Sequence, residues 1–178
     1  MVFLIWFTSD LHLGHVNIIK LSSRPFANID EMDNRLVANW NSVINKSDDI
    51  YIVGDFSLKS VNDVENYLRR LNGKKHLIRG NHDRVGAYPY NVPAGLEWVR
   101  DYHELKVEGV RFILFHYPIF EWNAVYRGSI HLYGHVHRDV GYSGWHRDKA
   151  WHSVNVGVDV NNYYPISVKQ IFSVARTV

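Results

Sequence analysis

Histidine is the first residue with a claim on chemistry. The chain carries 11 in 178 positions, and a side chain that binds metals and shuttles protons near neutral pH is not needed in such numbers for packing. Five of the 11 fall within five short motifs: Asp10-Leu11-His12, Gly54-Asp55, Gly80-Asn81-His82-Asp83, His116 and Gly134-His135-Val136-His137. The side chains there able to hold a metal are Asp10, His12, Asp55, Asn81, His116, His135 and His137. With no cysteine in the chain, thiolate sites, thiol nucleophiles and disulfides are excluded, and any metal must be held by nitrogen and oxygen. Residues two apart on an extended segment share a side, so Asp10 with His12, and His135 with His137, are expected to serve one cluster. Seven ligands exceed the need of one ion. Two divalent ions sharing a carboxylate fit the count, and two ions about 3.5–4 Å apart clamp the attacking and leaving oxygens of a phosphoryl displacement. Asp55 is the expected bridge, because a carboxylate offers two oxygens where an imidazole offers one free lone pair.

The elements that must position these motifs are legible in the hydrophobic pattern. Val2 to Thr8 is continuously apolar, β-branched or aromatic, the mark of a strand covered on both faces. A helix is predicted from about Asp30 to Asn45 by Met32, Leu36, Trp40, Val43 and Ile44. Asp49 to Val53 reads as a strand, Ser60 opens a second helix with Asp63 as capping partner, and Gly73 ends it. His76 to Arg79 is a third short strand. This order implies parallel pairing with helices covering the sheet. The second half is mostly strand: a hairpin of Tyr102–Glu108 and Val110–His116 about Gly109, then Ile130–Tyr133 and Ser153–Val160. Ser167 to Val174 fits either a helix capped by Ser167 and Gln170 or a closing strand. Each of the five motifs therefore ends a predicted strand, and strand C-termini of open α/β sheets face one crevice. Two long loops, 84–95 and 138–152, have the length of functional or disordered segments.

In this order and spacing the motifs resemble those of the calcineurin-like metallophosphoesterases, from Asp10 to about Gly157. The resemblance implies a four-layer α/β/β/α sandwich of two mixed β-sheets flanked by helices, with a dinuclear site at one edge. It implies Asp10, His12, Asp55 and His137 on one ion, and Asp55, Asn81, His116 and His135 on the other, with Mn and Fe or Zn; the imidazole and carboxylate ligands themselves suit Mn, Fe, Co, Ni or Zn. His82 would protonate the leaving group or stabilise the transferring phosphoryl. The chemistry agrees: two cations depress the pKa of bound water from about 15.7 toward 7, which makes an in-line nucleophile, and imidazole is suited to protonate an alkoxide. After Gly54-Asp55 the chain continues Phe56-Ser57-Leu58-Lys59. The Ser/Thr protein phosphatases carry a further Asp and Arg there, so protein phosphatase activity is not expected and His82 lacks that branch's orienting carboxylate, a place Asp83 could fill.

Around this set, His15, Arg24 and Arg84 are expected substrate contacts, with Arg79 a further candidate, because guanidinium matches two phosphate oxygens. Tyr117 is expected to point to the opposite face and pack. The aromatic loop with Tyr142, Trp145, His146 and Trp151 could stack a nucleotide base. His76, His103, His131 and His152 belong to no motif and are expected in core or surface roles.

Composition narrows the rest. One domain is expected from 178 residues, 46% of them hydrophobic. Twenty Lys and Arg against 18 Asp and Glu give a net charge of +2, too small to indicate a membrane surface or a stable nucleic-acid partner. The opening apolar run lacks a basic leader and is too short for a membrane span, so a cytoplasmic address is expected. The expected activity is hydrolysis of phosphate esters, with phosphodiesters of small or nucleotide type preferred over monoesters. The alternatives are a metal-binding scaffold or regulatory module of the same fold, or a nuclease component of a nucleic-acid-processing assembly. Oligomeric state does not follow from the sequence.

Overall fold

The computed structural model describes residues 4–85, 92–138 and 152–175. Strands β1 (Ile5–Thr8), β2 (Asp49–Val53), β3 (Lys74–Ile78) and β4 (Leu96–Arg100) pair in parallel, and β9 (Ile166–Ser167) adds an antiparallel edge beside β1. The second sheet has the order β5 (His103–Val107), β6 (Val110–Leu114), β7 (Ile130–Tyr133), β8 (Ser153–Asn155). The β5–β6 hairpin is antiparallel, and β6, β7 and β8 run parallel. Both sheets are thus mixed, and with their flanking helices they form the expected sandwich.

The uninterrupted apolar runs of β1 to β3 have a direct cause. Phe7, Tyr51, Val53 and Ile78 face Phe112, Leu114, Leu132 and Val154 in the core between the sheets. Their alternates Trp6, Ile50, Ile52 and Leu77 enter a second core with Met32, Leu36 and Trp40 of helix α2 (Ile29–Val43) and Val64 and Leu68 of helix α3 (Val61–Arg70). A strand buried on both faces needs no polar alternation.

Local signals set the helix limits. Asn28 accepts from Glu31 N at 2.9 Å, and Glu31 accepts from Ala27 N at 2.8 Å; Ser60 accepts from Asp63 N at 3.3 Å. Such caps contribute about 1 kcal/mol each. Helix α1 (Asn17–Leu21) is short, with its N-cap at Val16 and no side-chain cap. The open choice at the C-terminus resolves into both alternatives, a two-residue strand β9 followed by helix α4 (Val168–Ala175). Ser167 and Gln170 bond reciprocally there, Ser167 N to Gln170 Oε1 at 2.9 Å and Gln170 N to Ser167 Oγ at 3.3 Å. The strand expected over 153–160 stops at Asn155 and turns at Val158 to Asn161. No described helix is long and apolar enough to cross a membrane.

Candidate metal centre

Every motif follows the C-terminal end of a parallel strand. Asp10 and His12 follow β1, Asp55 follows β2, Asn81 and His82 follow β3, His116 follows β6, and His135 and His137 follow β7. Ligating atoms of Asp10, His12, Asp55 and His137 lie within 4.8 Å of one another, as do those of Asp55, His116 and His135. Asn81 joins the second group through Oδ1, which is 3.1 Å from His116 Nε2 and 3.0 Å from His135 Nδ1. Asp55 belongs to both groups. The structure thus brings all seven candidate ligands together.

The reason for this convergence differs from the expected one. The Asp10–His12 and His135–His137 segments are not extended. Asp10 (φ 57°), His12 (φ 52°), Asp55 (φ 54°), His135 (φ 72°) and His137 (φ 47°) all adopt left-handed backbone, which side chains other than glycine's seldom do. The chain turns a corner at each ligand, and the corners, not strand periodicity, aim the side chains inward. Glycine makes room beside them. A methyl group on Gly54 (φ 92°) would overlap the His116 ring, and one on Gly80 would overlap Asp55 Oδ1 and lie 2.5 Å from the Asp55 backbone nitrogen.

Hydrogen bonds occupy part of several of these side chains and leave other atoms facing the group. His116 Nδ1 lies 2.9 Å from the Val53 carbonyl oxygen, which can only accept, so Nδ1 donates and Nε2 is the ring atom that faces Asp55 and Asn81. His12 Nδ1 meets His15 Nδ1 at 3.3 Å, leaving His12 Nε2 in the group. Asp10 accepts from Ser9 Oγ at 2.7 Å and from His135 N at 3.0 Å. Asp55 Oδ1 accepts from His82 N at 2.9 Å. Asp55 Oδ2 is buried with no hydrogen-bond partner among the described residues, 3.5 Å from His12 Nε2 and 3.4 Å from His116 Nε2. A buried acceptor left unpaired costs about 1–3 kcal/mol. A divalent cation on either side of this oxygen would supply the missing partner, so the residues fit metal binding.

Electrostatics divide the set, with Asp55 and His12 held in the form that ligates and Asp10 and His116 shifted toward the protonated form. Burial works against the charge on Asp55, yet His116, the His82 backbone N–H and His12 hold its carboxyl down to about 2. Burial lowers His12 to about 3, leaving it neutral and ready to ligate. At His116 burial opposes the charged form but the Asp55 carboxylate outweighs it and moves the pKa up. Burial raises Asp10, against the pull of His137.

His82 is half-buried, its ring 5.2 Å from that of His12 and 6.0 Å from that of His15. It lies beside the ligands and in neither group. Asp83 does not orient it. The Asp83 carboxylate accepts from four backbone amides, Asp55 N at 2.8 Å, Phe56 N at 2.8 Å, Ser57 N at 3.2 Å and Gly80 N at 2.9 Å. It clasps the β2 and β3 ligand loops together, although burial pushes its carboxyl up to about 6.

The expected substrate contacts divide. His15 is half-buried at the rim against His12. Arg84 is exposed three residues beyond Asn81. Arg24 is a correction: only 4% exposed, it spends its guanidinium on Asp159 and on the carbonyls of Asp10 and Leu11, and so cannot reach a substrate. Arg79 is held by Asp101 at 2.7 Å. Tyr117 also departs from expectation. It is 38% exposed, with its ring edge-on to His135 at 4.6 Å. The aromatic residues at 142, 145, 146 and 151 lie outside the described residues.

Sequence reasoning missed Asp159. Its Oδ2 lies 2.8 Å from His137 Nδ1, and it follows β8 as the recognised motifs follow their own strands. The sequence offered no such signal, because it placed Asp159 inside the predicted strand Ser153–Val160, whereas β8 ends at Asn155.

Comparison with known proteins agrees with this geometry. A protein of Methanocaldococcus jannaschii without an assigned function is 33% identical over 175 residues, covering 94% of this chain and 88% of its own. The gene 66 protein of Mycobacterium phage L5 is 29% identical over 183 residues, 86% of each chain. A solved structure of a protein of unknown function from Aquifex aeolicus matches with a TM-score of 0.77 at 27% identity, covering 97% of this chain and 99% of that one. Residues 3–160 match the model of the calcineurin-like phosphoesterase superfamily domain. With nearly the whole chain matched, the protein belongs to the calcineurin-like phosphoesterase superfamily.

Proposed function

We propose that the protein is a dinuclear metal-dependent phosphodiesterase acting on small or nucleotide diesters. The observation that carries this reading is Asp55 Oδ2, a buried and unpartnered oxygen shared by two groups of metal-competent side chains. When bound, two divalent ions supply the Lewis acidity that activates water and the positive charge that holds a phosphate. The chain's own residues do the rest. Asp55 keeps its bridging oxygen free because Oδ1 is occupied by the His82 backbone. The same bond places the His82 ring at the rim, where it gives a proton to a departing alkoxide.

Charge favours diesters over monoesters. Arg24 and Arg79 are committed to Asp159 and Asp101, so a monoanionic diester suits the site better than a dianionic monoester. The exposed Tyr117 ring beside His135 gives a flat group such as a base a surface to stack on, worth about 1–3 kcal/mol.

Metal-stripped protein restored with Mn, Fe, Co, Ni or Zn should hydrolyse bis-nitrophenyl phosphate and nucleotide diesters faster than mononitrophenyl phosphate. Faster monoester turnover would reverse the substrate assignment, and no turnover with any metal would leave a binding scaffold.

A further inference from the structure

Arg24 and Asp159 are distant in sequence, and neither is a candidate ligand. Arg24 lies between α1 and α2, and Asp159 beyond β8. Their side chains are 0% and 6% exposed. The guanidinium meets the carboxylate as a fork, Nε to Oδ1 at 2.8 Å and Nη2 to Oδ2 at 2.8 Å. Its remaining reach is also used: Nη2 donates to the Asp10 carbonyl at 2.6 Å and Nη1 to the Leu11 carbonyl at 3.0 Å. On its far side Asp159 Oδ2 takes His137 Nδ1 at 2.8 Å. One buried pair therefore joins the Asp10–His12 corner to His137, 125 residues away from His12.

Two consequences follow for the imidazole. A carboxylate already engaged by arginine only accepts, so the proton of His137 stays on Nδ1 and the lone pair on Nε2. Nε2 is the atom that faces the first group, 3.2 Å from His12 Nε2 and 3.7 Å from Asp10 Oδ1. The planar fork also fixes the angle at which the carboxylate meets the ring, which a lysine ammonium could not do. We infer that Asp159 and Arg24 act as one positioning unit, setting the tautomer and the aim of His137 and holding it in register with Asp10 and His12 for the first of the two metal ions. The inference rests on the proposed dinuclear reading.

The test uses full-length, metal-stripped protein titrated with Mn by calorimetry, with bound metal counted by elemental analysis. The His137 tautomer is read from long-range nitrogen–proton NMR of a ¹⁵N-histidine-labelled diamagnetic sample. Asp159→Asn is nearly isosteric. It should weaken one of the two ions about 10- to 100-fold, the usual effect of removing a carboxylate behind a ligating imidazole. The second ion should be unchanged, and protonation at His137 Nε2 should increase. Arg24→Lys, which keeps the charge and loses the fork, should show the same selective loss to a smaller extent. A purely structural ion pair would lower thermal stability while leaving the tautomer and the ratio of the two affinities as in the wild type. That result, or equal weakening of both ions, overturns the inference. If the wild type takes up two ions and both variants match it, this inference alone falls; if the wild type takes up none, the dinuclear reading falls and this one with it.

Discussion

His82 bonds through its backbone to the Asp55 carboxylate while its ring stays outside both candidate ligand groups, so in the proposed function one residue would both position the metal centre and present a proton. These two roles separate on mutation. His82→Ala keeps the amide and loses the imidazole. Its kcat on alkyl diesters should fall about 10²- to 10⁴-fold, with bound metal unchanged. The loss should shrink for bis-nitrophenyl phosphate, since nitrophenolate departs without a proton. Steady-state kinetics across leaving groups, beside elemental analysis, checks both halves; an equal loss for every leaving group would remove the proton-donor role. The candidate ligands were legible in the sequence because a metal demands particular atoms in particular numbers, and the structure brings those residues together. Arg24 was misread because a guanidinium fits a substrate phosphate and a buried carboxylate equally well, and only the fold brings Asp159 to it. Tyr117 was misread because strand alternation does not continue past Leu114, the last residue of β6.

The elements show where periodicity carries information and where it stops. Helices were legible because burying one face imposes a repeat, and β1 to β3 because burial on both faces leaves an uninterrupted apolar run. The ligand corners were not, because left-handed turns at Asp10, His12, Asp55, His135 and His137 follow no repeat. Asp159 was hidden by the run Val154-Asn155-Val156-Gly157-Val158-Asp159, which alternates as a strand should although pairing as β8 ends at Asn155. The meeting of the β2 and β3 loops depends on Gly80, whose Cα hydrogen faces Asp55 at close range. Gly80→Ala should cost about 1–3 kcal/mol as an overpacking change, and by moving Asp55 it should weaken both metal ions together. Chemical denaturation and metal titration of the variant measure the two effects. Loss at one ion alone would contradict the shared role of Asp55.

For the whole molecule, any metal bound at this site is thermodynamically linked to the fold, because the candidate ligands converge only when five strand ends, those of β1, β2, β3, β6 and β7, are in place. An ion that binds the folded chain alone stabilises it by RT ln(1 + [L]/Kd), about 2.7 kcal/mol at a hundredfold excess over Kd. At this size each ion should raise the melting temperature by about 5–10 °C, and chelation should reverse the rise. Calorimetric scans with and without Mn test it. Unchanged melting at saturating metal would mean that the ions do not engage the folded site.

The left-handed corners also bear on the metal-free protein. His135 is exposed and sits at φ 72°. Elsewhere glycine is less stable than alanine in ordered structure by roughly 0.5–1 kcal/mol, but at such an angle the preference inverts. Among metal-free variants, His135→Gly should therefore unfold at higher denaturant than His135→Ala. The metal-free scaffold would relax if these side chains were erased, so the polypeptide is wound against itself at the very points that the proposed function assigns to holding cations.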